Sequence, residues 1–259
     1  MNKQQVILIL TRNISSEVLK FYDNLRDSLQ GEDIFILLHW NGLELDSLMN
    51  GLRSIYRFET NILTTLNFRA IGEELLPGNT HFALLKFYQD FPSYKYYWVI
   101  EDDIRFSGDW DYFFRIFNLD LKYDFISSHI RNYNQEPFWY WWSTLFHEEF
   151  IIPNKRRLRS FNPIYRISNM ALKYIKDIHV LGWMGHYEVL FPTMLTLGNY
   201  KLLDFGGDGD FVKAGFENRF YTSESNNSGN LSLGTMRFRP ILEEIGTIEN
   251  KLYHPVKKV

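Results

Sequence analysis

Three carboxylates in a row, Glu101-Asp102-Asp103, close the apolar run Tyr96-Tyr97-Trp98-Val99-Ile100. Val, Ile, Tyr and Trp favour a buried strand, and so short an apolar run does not make a free-standing helix. Three acids at a strand end repel one another and lose hydration, so stability alone does not place them there. A divalent cation that binds phosphate compensates for that cost, and carboxylate oxygens are hard ligands suited to Mn²⁺ or Mg²⁺. In open α/β sheets ligands sit beyond the carboxyl ends of strands, where these acids fall. The plain alternative is an exposed acidic turn.

Two literal Asp-x-Asp patterns compete, Asp109-Trp110-Asp111 and Asp208-Gly209-Asp210. The first reads as a helix start, where acids favour the N-terminal dipole. The second follows a late strand and rivals Asp103 as the principal metal site. Further on, Gly185-His186-Tyr187-Glu188 sets an acid at another helix start, and Leu252-Tyr253-His254-Pro255-Val256-Lys257 sets an imidazole near the C-terminus. Neutral imidazole is a good borderline ligand and favours Mn²⁺ over Mg²⁺.

The elements that must position these residues alternate. Residues 6–10 form a buried first strand ending in Thr11-Arg12-Asn13, and Ser15 or Ser16 caps a helix to about Leu29. Residues 33–40 form a second strand, so the pair is parallel with a right-handed crossover. After a less regular stretch come a helix over 81–91, the acidic strand, a helix from Asp109 and a strand over 124–128. This order predicts an α/β domain with a mostly parallel sheet. In the second half Ser168 caps a helix, Gly185 opens another with Pro192 as a kink or break, and residues 200–205 form a late strand. Residues 206–235 are rich in Gly, Ser and Asn and read as a mobile loop, too polar to order itself, that closes over a bound ligand.

The order of parts and the three motifs resemble a GT-A-fold, nucleotide-sugar-dependent glycosyltransferase. The resemblance implies a Rossmann-like, mostly parallel central sheet flanked by helices, with a less regular acceptor-binding C-terminal half. It treats residues 1–259 as a single domain, 1–130 binding the nucleotide-sugar and 131–259 the acceptor. By that correspondence Asp103 is the direct metal ligand, and His254 completes the coordination of Mn²⁺ or Mg²⁺. Glu101 and Asp102 then hold the ribose or donor sugar, or ligate through water. Thr11, Arg12, Asn13, His39, Trp40 and Asn41 form the nucleotide pocket, and Lys257 and Lys258 neutralise diphosphate. Glu188 is the general base of an inverting transfer, kept ionised by its helix dipole, with His186 a weaker candidate beside it. The common Glu-Asp pair of that family is absent here, because the acid follows Tyr187.

The expected activity is a hexosyl transfer from a nucleoside-diphosphate donor, most simply a UDP-sugar, to a glycan or lipid-linked hydroxyl, in polysaccharide or glycolipid assembly. Its rivals are a non-catalytic carbohydrate- or nucleotide-sugar-binding module and a sugar-phosphate nucleotidyltransferase. The latter normally needs a Gly-rich phosphate loop after the first strand, and residues 11–15 contain no glycine. Five successive aromatics, Phe138-Trp139-Tyr140-Trp141-Trp142, cannot all face one core. Core packing, an acceptor platform built on Trp139, Trp141 and Trp142, and a membrane-interface contact are the readings open to them. Lys155-Arg156-Arg157-Leu158-Arg159 reads as a solvated basic surface, with a phosphate-bearing acceptor or an anionic membrane as the alternatives.

Composition sets the outer bounds. The 259 residues suffice for a full core, and a net charge of −3 argues against a general nucleic-acid binder. There is no cysteine, which excludes disulfides and thiolate metal sites and fits a reducing compartment. The first apolar run is too short for a signal-peptide core or a membrane span. The expectation is a soluble cytoplasmic protein, with peripheral membrane contact as an option.

Overall fold

The computed structural model describes residues 4–40, 42, 54–118, 121–224 and 226–257. The fold is mixed α/β, built on a seven-stranded, mostly parallel sheet flanked by helices. The first strands are β1 (Gln5–Thr11), β2 (Asp33–His39), β3 (Ile55–Phe58), β4 (Tyr96–Glu101) and the short β5 (Arg105–Phe106). Then come β6 (Phe125–Asn132), β7 (Leu158–Ser168) and β8 (Leu202–Asp204), followed by the two-residue strands β9 (Ser223–Glu224), β10 (Leu233–Gly234) and β11 (Leu252–Tyr253). The helices are α1 (Ser16–Ser28), α2 (Ile62–Thr65), α3 (His81–Asp90), α4 (Trp110–Asn118), α5 (Asn169–Val180) and α6 (Tyr187–Leu197). The main sheet runs β3-β2-β1-β4-β7-β6-β8, and β7 alone is antiparallel to its neighbours.

Alternation along each strand divides the core into two layers. Val6 and Leu8 of β1 pack with α3, α5 and α6, whereas Ile7 and Ile9 pack with α1 and α4. Both faces are covered, which is why these strands read as continuous apolar runs. Helix starts follow capping chemistry: Ser15 Oγ accepts from Val18 N at 3.2 Å, and Ser168 Oγ accepts from Ala171 N at 3.2 Å.

Three expectations need correction. The end of the basic run expected at the surface, Leu158 and Arg159, opens the eleven-residue β7, which is buried throughout. Its internal cations find partners inside the protein: Arg166 donates to the carbonyls of Phe117 (2.6 Å) and Tyr123 (2.8 Å), and Arg159 pairs with Glu136 at 2.8 Å. The segment 206–235 is not a free loop either. Phe216, Phe220, Tyr221 and Leu231 are buried against α4 and the sheet, and Tyr221 donates to Asp204 at 2.7 Å. Four apolar anchors among polar residues suffice, which a composition average hides. Lastly, α6 runs across Pro192 without a break, because β7 and the core hold both of its ends.

One connection decides the site. The segment 252–257 returns to the end of β4 through β11, which forms a separate two-stranded antiparallel sheet with β5, and Val256 N then donates to Asp103 O at 2.8 Å. Residues 252–257 are thereby pinned beside the acids that end β4, and Lys258 lies outside the described residues.

Candidate active site

Glu101 ends β4, and the tight turn after it buries Asp103 while leaving Asp102 beside Thr11, whose hydroxyl donates to the Asp102 carboxylate. Opposite, His254 Nδ1 lies 2.6 Å from Arg237 O. A carbonyl only accepts, so Nδ1 carries the proton and Nε2 points its remaining valence at the acids. Nε2 lies 3.5 Å from Glu101 Oε2 and 3.4 Å from Asp103 Oδ1. One ligand atom from each of the three residues falls within 4.8 Å of the others, and among the described residues no second such group forms.

The charges on this cluster are strained. Burial, then the Asp103 and Asp102 charges, push Glu101 upward against the His254 hydrogen bond. Burial and Asp103 likewise raise Asp102, opposed by Thr11. Burial pulls the His254 imidazole down, but Glu101 and Asp103 outweigh it, so its second proton is held more tightly than usual. Asp103 Oδ2 meets Lys257 Nζ at 3.0 Å, while Oδ1 is buried without a hydrogen-bond partner. Two carboxylates, one imidazole in the ligating tautomer and an orphaned oxygen fit a borderline-hard divalent cation.

Two cavities meet at this cluster. One, of about 270 Å³, is walled by Thr11, Arg12, Asn13 and His39 and floored by Glu101, Asp102 and Asp103. His39 stacks on Phe58 with centroids 5.4 Å apart and has Nε2 2.9 Å from the Thr60 hydroxyl. Trp40 does not line this cavity but packs against the core beside α1, and Asn41 lies outside the described residues. The other cavity, of about 320 Å³, shares Glu101, Asp103 and Lys257 and extends past His254 to Trp139, Trp141, His186 and Glu188.

Glu188 occupies the first turn of α6, held by β7: its Oε1 accepts from Asn162 N at 3.2 Å. Burial pushes its carboxyl up to about 7, against the pull of Arg159 and the Asn162 amide. The expectation that the helix dipole keeps it ionised is therefore corrected, since desolvation outweighs the dipole here. His186 caps α6, with Nδ1 accepting from Glu188 N at 3.3 Å. Burial and the Arg159 charge push this imidazole down to about 3, so it stays neutral and packs against Trp141 with centroids 4.8 Å apart. Trp142 belongs elsewhere: it is buried and donates from Nε1 to Glu136 O at 2.8 Å, outside the Glu188 cavity.

The other acidic patterns have local partners. Asp109 accepts from Asp111 N at 3.0 Å at the start of α4. Asp208 pairs with Arg131 and accepts from Ser223 Oγ at 2.8 Å, and Asp210 accepts from Asn132 Nδ2 at 3.3 Å. Arg159, expected on a solvated basic surface, is instead buried. Its guanidinium lies 4.4 Å over the Trp139 ring and donates to Glu136 (2.8 Å) and Gly229 O (3.1 Å), so it holds one wall of the Glu188 cavity together. Nothing local in the sequence ties it to Glu136, and only the fold does.

No family model and no curated protein matches the chain in sequence. Among solved structures it is similar to a 4-diphosphocytidyl-2C-methyl-D-erythritol synthase from Anaerococcus prevotii (9% identity, 82% of this chain and 93% of that one, TM-score 0.45). It is also similar to a putative glucose-1-phosphate thymidylyltransferase from Bacillus anthracis (14% identity, 79% and 87%, TM-score 0.42). A third is a glycosyltransferase involved in glycosylating the major capsid of PBCV-1 (9% identity, 68% and 67%, TM-score 0.32). At these values the chemistry must be read from the residues of this site.

Proposed function

We propose that the chain is a metal-dependent, inverting glycosyltransferase that moves a sugar from a nucleoside diphosphate, most simply UDP, to an acceptor hydroxyl. The observation that carries this reading is the pair of cavities joined at Glu101, Asp103 and Lys257, with an acid, Glu188, on the far side of the junction. A one-step displacement needs that layout. The leaving diphosphate lies on one side of the anomeric carbon, and the attacking hydroxyl with its base lies on the other.

Thr11, Arg12, Asn13 and His39 provide polar groups and an aromatic surface for the nucleoside. Glu101, Asp103 and His254 would hold Mn²⁺ or Mg²⁺, which when bound offsets the charge growing on the diphosphate. Lys257, half exposed beside Asp103, adds a cation of the chain itself. Trp141, partly exposed, gives a flat apolar face for an acceptor ring, and Trp139, buried beneath Arg159, backs the same cavity. The acceptor oxygen bonds to the anomeric carbon as the bond to the diphosphate oxygen breaks, and its proton passes to the Glu188 carboxylate. The product then has the opposite anomeric configuration to the donor.

Calorimetric titration of UDP with and without Mn²⁺, followed by a screen of nucleotide-sugars for metal-dependent hydrolysis, tests the reading. Nucleotide binding that requires the cation, with release of UDP from one donor, is the expected result. Tight UDP binding indifferent to EDTA, or release of pyrophosphate in place of UDP, would refute it.

A further inference from the structure

The aromatic cluster and the basic run after it leave a part that the two cavities do not use. Trp139 and Trp141 line the Glu188 cavity, but their neighbours Phe138 and Tyr140 are 75% and 79% exposed. Arg157 ties the aromatic run to the next segment by donating to the carbonyls of Trp142 and Ile152, and just before Ile152 the side chains of Phe150 and Ile151 are 59% and 88% exposed. Phe138 and Tyr140 border a shallow hollow with Asn154 and Arg157, which joins them to the turn Asn154–Arg156. Across the face, Phe146 pairs by backbone with Met184, and His147 lies 2.8 Å from Leu181 O, bringing the exposed Val180 and Leu181 alongside. So many outward apolar side chains in one region mark an interaction surface.

Charge identifies the occupant. Lys155 and Arg156 are exposed, with no carboxylate in ion-pair range among the described residues. Arg157 spends its guanidinium on the carbonyls of Ile152 and Trp142. Of the neighbouring acids in the chain, Glu148 is taken by Arg69 at 2.9 Å and Glu149 is exposed. The face is therefore apolar and aromatic with cations in excess, the combination that seats in the interface of an anionic bilayer.

We propose that this face, with Phe138, Tyr140, Phe150 and Ile151 inserting and Lys155 and Arg156 meeting headgroups, docks the protein on an anionic membrane surface. The docking residues flank Trp139 and Trp141 along the chain, so an acceptor presented at the membrane reaches the cavity they line. The face lies outside both cavities, and the inference stands or falls separately from the transferase reading.

Flotation of the full chain with vesicles of phosphatidylcholine alone, or of equal parts phosphatidylcholine and phosphatidylglycerol, tests it. The chain should float with the anionic vesicles, stay behind with the neutral ones and be released by salt. Lys155→Ala with Arg156→Ala should weaken partitioning roughly thirtyfold, at the usual contribution of each surface cation. Ile151→Asp should weaken it as well. All three substitutions are at exposed positions, so unchanged melting and unchanged Mn²⁺-dependent UDP titration serve as controls for fold and site. A chain that fails to float with anionic vesicles, or variants that float as well as the parent, would overturn the proposal. A polypeptide partner would then be the remaining occupant.

Discussion

Asp103 stands at the junction of both cavities with one carboxylate oxygen held by Lys257 and the other buried without a partner. Replacing it by Asn keeps the shape and removes a charged ligand. Asp103→Asn should lower Mn²⁺-dependent UDP affinity at least about tenfold, the low end of the loss seen even when only an outer partner of a metal ligand is changed. Calorimetry reads that change, and unchanged affinity would remove Asp103 from the ligand set. Glu188 carries the complementary test. With its carboxyl near 7, it is protonated in acid and cannot accept a proton there, so turnover should rise with pH through that value. A bound cation's field shifts this limb downward, never upward. Glu188→Gln should keep metal and donor binding, abolish the limb and reduce turnover roughly 10²-fold or more. The same pH profile in the Gln variant would leave Glu188 a structural residue. At this scale the sequence was most legible, because acids and an imidazole at element ends are costly without a ligand. Arg159 was illegible for the opposite reason. Its partner Glu136 lies in another segment, and a run of cations looks the same in solvent as it does on a buried strand.

Among the elements, the turn carrying Gly229 shows how the second cavity gets its wall. Gly229 has a φ of +63°, and a Cβ there would come 2.4 Å from Arg159 Nη1 and 2.7 Å from Trp139 Cδ1. Neither neighbour can yield cheaply, since the guanidinium is fixed by Glu136 and the Gly229 carbonyl and the indole packs beneath it. A left-handed backbone costs a non-glycine residue about 1–2 kcal/mol before any clash. Gly229→Ala should therefore lower the melting temperature by several degrees. It should also raise KM for the acceptor, because the following Asn230 and Leu231 line that cavity. The UDP affinity, set on the other side of the junction, should not move. A variant with altered UDP binding and normal acceptor KM would place the turn on the donor side. The polar composition of residues 206–235 concealed this role. Its few buried side chains are spaced too irregularly to make either a helical or a strand period.

For the whole molecule, legibility divides at the middle of the chain. β1, β2 and β4 are covered on both faces and so appear as unbroken apolar runs, whereas β7 carries Arg159, Asn162 and Arg166 into the interior and shows no strand pattern. The buried polar groups that obscured the second half also make the fold sensitive to acid. His81 opens α3 and His179 ends α5, and their Nε2 atoms meet at 3.0 Å inside the core, one ring donating to the other. Burial holds His179 down at about 4 and His81 well below the ordinary imidazole value, with each ring's charge disfavoured by its surroundings. A histidine whose folded pKa is depressed leaves the unfolded chain the better proton acceptor below the ordinary value near 6.5. Its contribution is therefore complete above that value and is lost as pH falls towards about 4. From about pH 7 to about pH 5, His179 alone should cost on the order of 2 kcal/mol of stability. Glu188 works in the other direction over part of this range, because its raised carboxyl favours the folded state as pH drops below about 7. The histidine contribution is isolated by His179→Gln, whose amide can still hydrogen-bond His81 but cannot titrate. Denaturant melts of parent and variant at the two pH values should show the parent losing about 2 kcal/mol more than the variant. Equal losses in the two proteins would mean that the His81–His179 contact is not what couples this fold to acid.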